Sequence, residues 1–167
     1  SRGPRRVDRP LALYGAGRMG RMARDWCERV GIPVSLVIDE RANALQADPF
    51  WRGVRVRSPA AVGERDRGEH LLAVCVATTP FEPLRQGLAA GGWRDIVPFY
   101  DLTEAYLERH PLSNGWFCPD LREDEVSGIG RVLERWSDDV SRAHHLQFIA
   151  WHRLRQEWVF ADAPVRE

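Results

Sequence analysis

Six residues near the start of the chain, Gly15-Ala16-Gly17-Arg18-Met19-Gly20, have the G-x-G-x-x-G spacing with which a backbone can hold a pyrophosphate. A first glycine permits a tight turn, a second admits the phosphate against the main chain, and a third lets a helix pack closely on a strand. The N-terminus of the helix that follows then faces the anion. Asp39 stands 19 residues after Gly20, where a carboxylate can accept hydrogen bonds from a ribose diol. Arg41, two residues on, can meet a 2′-phosphate. The pair leaves NAD and NADP both open. The expected cofactor-binding set is therefore Gly15, Gly17, Arg18, Met19 and Gly20 with Asp39 and Arg41, and the expected ligand is NAD(P) or a nucleotide-sugar.

For these residues to act together, the chain must place them at one edge of a sheet. Leu11 to Tyr14 is a short apolar run that meets glycine at once, and Arg18 to Val30 then sets Met19, Met22, Ala23, Trp26, Cys27 and Val30 at helical spacing. Gly31-Ile32-Pro33 stops that helix, and Val34 to Ile38 is β-branched enough for a buried second strand ending at Asp39. Gly53 to Val56 predicts a third strand, Ser58-Pro59 a helix start, Leu71 to Ala77 a fourth strand, Pro83 to Ala90 a helix, and Asp95 to Pro98 a fifth strand. Strands alternating with helices predict an α/β fold, a Rossmann-like parallel sheet of about five strands. Residues 1 to 9 are expected to be a flexible lead-in. Leu102, Ala105 and Tyr106 suggest a short helix ending at His110-Pro111. The rest reads as a helical arm, with Val126, Ile129, Leu133, Trp136 and Val140 on one stripe and two apolar stripes from Ser141 onward. The division expected is a nucleotide-binding domain over 10–110 and an arm over 111–160.

Composition narrows the chemistry. The 167 residues carry 24 acidic and 24 basic side chains, and every one of the cations is arginine. A chain without lysine has no Schiff-base lysine, no Walker-A lysine and no lysine general acid. A net charge of zero gives no electrostatic footprint for nucleic acid. Cys27, Cys75 and Cys118 are odd in number and far apart, which fits a reducing, cytoplasmic setting better than a disulfide framework. The longest wholly apolar run, Leu71 to Ala77, is far short of the ~20 residues that span a bilayer, so no membrane association is expected. His144, His145 and His152 do not have the four-residue spacing of ligands on one helix, and no metal is expected. An acid two residues before the first glycine would suit a methyl-donor site, and that position is Leu13.

Val76-Ala77-Thr78-Thr79-Pro80 resembles the nicotinamide-side edge of sugar-type oxidoreductases, where a threonine hydroxyl lines the cofactor; Thr78 joins the candidate site on that ground, with a helix cap as its alternative role. The catalytic lysine of those enzymes is absent. A second resemblance covers most of residues 10 to 158. The turn Gly15 to Gly20, Gly53-Val54-Arg55-Val56-Arg57-Ser58-Pro59, Gly92 to Leu102, Asn114-Gly115-Trp116-Phe117 and, in the tail, Asp138 to Arg142 with Phe148 and Trp151-His152-Arg153 are similar to the amino-terminal Rossmann-like module ahead of FkbM-family methyltransferase domains. That resemblance implies an accessory module, non-catalytic on its own, binding a nucleotide-type small molecule. The helical arm would dock onto a downstream catalytic domain or a second copy of the chain. The alternatives are a small NAD(P)-dependent oxidoreductase, with Asp101 or His110 relaying a proton, and a structural or oligomerisation domain with an empty site.

Overall fold

The computed structural model describes residues 3–109 and 121–154. Five short strands form, β1 (Leu11–Tyr14), β2 (Val34–Ile38) and β5 (Asp95–Pro98) over the expected residues, β3 (Arg55–Arg57) starting two residues later than the expected Gly53 and ending one later, and β4 (Leu71–Val74) shorter than expected. They pair in parallel in the order β3-β2-β1-β4-β5. The protein is therefore an α/β, Rossmann-like sheet followed by helices. A strand covered on both faces has no need of polar alternation, and every residue of β4, like the first three of β1, is buried.

The connections divide between the faces. On one side, α1 (Arg18–Val30) and α2 (Ala42–Gln46) pack Ala23, Trp26, Cys27, Val30, Ala42 and Leu45 against Leu13, Val37, Ala73 and Val97. The short helix α5 (Phe99–Glu104) adds Phe99 and Leu102 to this side. The opposite face, Ala12, Leu36, Ile38, Leu72 and Val74, is covered by Val62 and by Phe81 and Leu88 of α4 (Phe81–Ala90). Between β3 and β4 lies α3 (Glu64–Glu69). Because β1 sends its connection to one face and the chain later returns over the other to reach β4, the carboxyl ends of β1 and β4 flank a topological switch point, where open α/β sheets hold their ligands.

α1 ends as its sequence predicts. Gly31 takes φ +75°, its N–H donates to Glu28 O at 3.2 Å, and Ile32 N–H reaches Cys27 O at 2.8 Å. This is a Schellman stop, and it requires a residue tolerant of the left-handed region. Trp26, fully buried, meets Phe99 and Tyr106 edge to face at 5.5 and 5.7 Å.

Several boundaries differ from expectation for local reasons. β4 stops at Val74 instead of running to Ala77. Its neighbours end at the same level, since Tyr14 and Pro98 are Val74's partners on either side. One more bond, Cys75 N–H to Tyr14 O at 2.8 Å, closes the ladder before the chain turns out. The segment after Ser58 makes a single 3-10 turn, Pro59–Ala61, before α3 begins. The lead-in is tied down from Pro4 to Arg9: Arg5 N–H donates to Asp101 O, Val7 N–H to the Tyr106 hydroxyl, and the Arg5 guanidinium to Asp95 and Asp8.

The chain divides into two compact units, Pro4–Asn114 and a second made of Gly115–Glu167 with the first three residues. In the second, the single stripe expected from Val126 to Val140 is broken into α6 (Glu123–Arg135) and α7 (Asp139–Leu154). Trp136 is extended at φ −70°, ψ 130°, and Asp138 accepts the Ser141 N–H at 2.7 Å, an N-cap that starts a new helix. Arg142 reaches back to the Leu133 and Trp136 carbonyls at 3.2 and 2.5 Å, satisfying the end of α6.

Removing the Trp26 ring empties the junction of α1, β5 and α5. Trp26→Ala is expected to lower stability by about 3–5 kcal/mol in urea unfolding, without change of fold in the fraction that remains native.

Candidate functional site

The turn between β1 and α1 is shaped by two glycines that have no room. Gly15 has φ +97°, and a Cβ there would lie 3.1 Å from Cys75 O and from Val76 Cγ2. A Cβ on Gly20 would come within 2.0 Å of Gly15 O, a backbone atom. Gly17 differs: its φ is −71°, and a Cβ would meet nothing within 4 Å. The first and third glycines thus serve chain packing, whereas the second borders open space. Gly17 is also the N-cap of α1, with no side-chain cap bond and no acidic residue in the first turn. No acidic side chain of α1 itself offsets the positive end of this helix dipole. Gly17 and Arg18 are exposed and Met19 is half-buried.

Asp39, immediately after β2, is brought to the same turn. Its Oδ2 accepts the Ala16 N–H at 2.8 Å, and its Oδ1 accepts the Arg41 N–H at 2.9 Å and the Arg41 Nε–H at 3.1 Å. Burial pushes this carboxyl up, but the hydrogen bonds from Arg41 and Ala16 and the Arg41 charge outweigh it, and Asp39 sits below the usual carboxylate range. Seven of the eight expected positions, Gly15, Gly17, Arg18, Met19, Gly20, Asp39 and Arg41, therefore converge at the carboxyl end of β1 and β2. Thr78 lies in an exposed bend after β4, and the residue that caps α4 is Pro80, so Thr78 is no helix cap. Its segment leaves the sheet beside the turn, since Cys75 and Val76 are the atoms that crowd Gly15. Tyr14, unremarked in the sequence, closes β1 next to these groups; burial and the nearby Glu40 and Asp39 charges raise its hydroxyl, which stays protonated.

Other candidates resolve into structure. Cys27 and Cys75 are buried free thiols. Burial pushes Cys27 up to about 12 and Cys75 well above its ordinary value, with Cys27 nearby adding to the latter. Neither is a nucleophile in the folded chain. Asp101 is buried in α5, 2% exposed, with no access to solvent for a proton relay; His110, its alternative, lies outside the described residues, as does Cys118. Among the described residues no three metal-capable side chains cluster. His152 packs its ring on Phe148 and Trp151 at 4.2 and 4.9 Å, and His145 faces Trp136 at 6.2 Å. Among the same residues no helix is long and apolar enough to cross a membrane. Comparison with protein-family models, with curated proteins and with solved structures finds no match to this chain.

Two outcomes check this geometry. Gly20→Ala forces backbone apart and is expected to cost about 1–3 kcal/mol or more, whereas Gly17→Ala, with space and an ordinary φ, is expected to stay within about 1 kcal/mol of the parent; urea midpoints of both variants compare them. For Asp39 the folded carboxyl lies below its unfolded value of about 3.9, so its stabilisation is present above that pH and lost as pH falls through the folded value. Acid unfolding of Asp39→Asn is expected to show a smaller loss of stability below about pH 4 than the parent.

Proposed function

We propose that this chain is a nucleotide-binding Rossmann-like module that performs no chemistry alone and holds NAD(P) or a nucleotide-sugar at the turn Gly15–Gly20. The observation that carries the reading is the contrast among the three glycines. Packing requires Gly15 and Gly20, but nothing in the fold requires Gly17 to lack a side chain, and its open side lies at an uncapped helix N-terminus where a diphosphate would be stabilised. Asp39 at the end of the neighbouring strand supplies the ribose acceptor, and Thr78 borders the other side.

The absence of lysine and the burial of Asp101 weigh against an oxidoreductase that works by itself. The reading fits the resemblance to the module ahead of FkbM-family methyltransferase domains, with a catalytic domain supplied elsewhere in a cytoplasmic protein. In that arrangement α6 and α7 would serve as the docking arm, and they carry exposed Val126, Val132, Trp136, Val140, Leu146 and Phe148.

Isothermal titration with NADH, NADPH and a panel of nucleotide-sugars is the direct test. Binding of at least one ligand is expected, weakened tenfold or more, about 1.4 kcal/mol, by Gly17→Val in a protein whose circular dichroism is unchanged. No heat with any of them, or equal binding by the variant, overturns the proposal.

A further inference from the structure

The register between β1 and β2 is not uniform. Leu11 pairs with Val34, but Ala12 pairs with Leu36, so Ser35 has no partner of its own and the strands shift by one residue there. The side-chain pattern records the same slip: Val34 and Val37 both pack with the core on the α1 side, whereas Leu36 and Ile38 pack on the other. Everything downstream inherits it. The shift sets Tyr14 opposite Ile38, which is what brings Asp39 level with Ala16. A one-residue slip would present the opposite face of the strand.

What occupies the shift is a polar pair, a half-buried serine and a buried histidine. The Ser35 hydroxyl donates to Leu11 O at 3.0 Å, and the same oxygen lies 3.0 Å from Nε2 of His70, the residue before β4. His70 is 4% exposed, and its Nδ1 lies 2.9 Å from Asp66 O, which also accepts the His70 backbone N–H. Around the ring, α3 contributes the Asp66 carboxylate 3.7 Å from Nδ1, and β3 contributes Arg55, bonded to that carboxylate at 2.8 Å, with Arg57 near it. β1 and β2 contribute the Leu11 carbonyl and the Ser35 hydroxyl.

We propose that Ser35 and His70 form a proton-operated latch on this shift and so position Asp39 at the glycine turn. The argument is a count of protons. Three contacts, Asp66 O to Nδ1, Nε2 to Ser35 Oγ and Ser35 Oγ to Leu11 O, need three protons, because both carbonyls can only accept. A neutral ring brings one and the hydroxyl another, so in either tautomer one contact is left without a proton. A doubly protonated ring completes the chain: Nδ1–H donates to Asp66 O, Nε2–H to Ser35 Oγ, and the hydroxyl is committed to Leu11 O. The Asp66 carbonyl facing Nδ1 holds the remaining proton on that nitrogen when the ring becomes neutral, so Nε2 gives its proton up, the single hydroxyl proton must choose between Nε2 and Leu11 O, and the bond across the shift loosens.

The test does not depend on any ligand. Nuclear magnetic resonance of the His70 ring and of the Ala12 and Ala16 amides is followed between about pH 5 and 8, in the parent, in Ser35→Ala and in Ser35→Thr. Ala16 is the informative reporter, since it stands at the far end of β1 and is bonded to Asp39. The expected result is that both amides shift with the midpoint of the His70 ring in the parent and in Ser35→Thr, which keeps a hydroxyl. In Ser35→Ala the ring titrates while the Ala16 amide stays still. An Ala16 resonance that ignores His70 in the parent overturns the latch whether or not Ser35→Ala folds. So does one that follows it equally without the hydroxyl, or a ring that does not titrate in this range.

Discussion

The fold turns on the approach of α1 to the end of β1. A Cβ on Gly20 would lie 2.0 Å from Gly15 O, so the helix leaves the strand with no gap between them, and a side chain at that position has nowhere to go. Gly15 is held from the other side by Cys75 O and Val76. Because the helix is pressed down here, its inner residues Ala23, Trp26 and Cys27 reach the sheet and its N-terminus points outward from the switch point between β1 and β4. Core and site are consequences of the same close packing, which is why the glycines that shape the site are also needed for stability.

An all-arginine complement of cations suits the rest of this architecture. A guanidinium offers five donors in a planar fork and stacks on aromatic faces, which an ammonium cannot match. Arg24 lies over Phe50 and Trp51 at 5.2 and 5.5 Å while donating to Arg52 O, and Arg21 covers Phe50 and pairs with Asp48. These contacts fasten the Asp48–Arg52 loop to α1. Arg142 satisfies two carbonyls at the end of α6, and Arg5 joins the lead-in to Asp95 at the start of β5. Individual exposed ion pairs contribute little, about 0–1 kcal/mol. What these arginines supply is attachment of irregular segments through carbonyls and rings.

The parts of this structure that follow from local pattern were legible in the sequence. β1, α1, β2 and β5 begin and end where apolar runs meet Gly15, Gly31, Asp39 and Pro98, and the convergence of the glycine turn with Asp39 follows from strand order. The parts set by neighbours were not. β4 looks three residues longer than it is because Cys75 to Ala77 are as apolar as the strand, yet β1 and β5 end beside Val74, and the ladder closes with the Cys75 N–H bond to Tyr14 O. The lead-in looks free because its anchors, Asp95, Asp101 and Tyr106, lie about a hundred residues away. Val126 to Val140 keep helical spacing across a break that only the Ser137-Asp138 cap signals. Ser35 is a single polar residue in an apolar strand and His70 ends a charged stretch, and nothing in their spacing says that they meet.

If the turn holds a nucleotide, as proposed, the convergence of Asp39 on it decides how that ligand would enter. Its bond to the Ala16 N–H consumes one donor of the glycine turn, so a diphosphate is left to the N–H groups of Gly17 and of the first turn of α1. The carboxylate is committed as well, with Oδ1 accepting two bonds from Arg41. A ribose diol would therefore displace the Arg41 guanidinium, while the Arg41 backbone N–H stays on Oδ1. That exchange is open to the Arg41 side chain, which is 66% exposed and whose guanidinium can return to water. In that proposed complex Asp39 would keep the turn in shape through Oδ2 while exchanging the Arg41 Nε–H for a hydroxyl at Oδ1, so the bond that stays would preorganise the site and the one that leaves would open it.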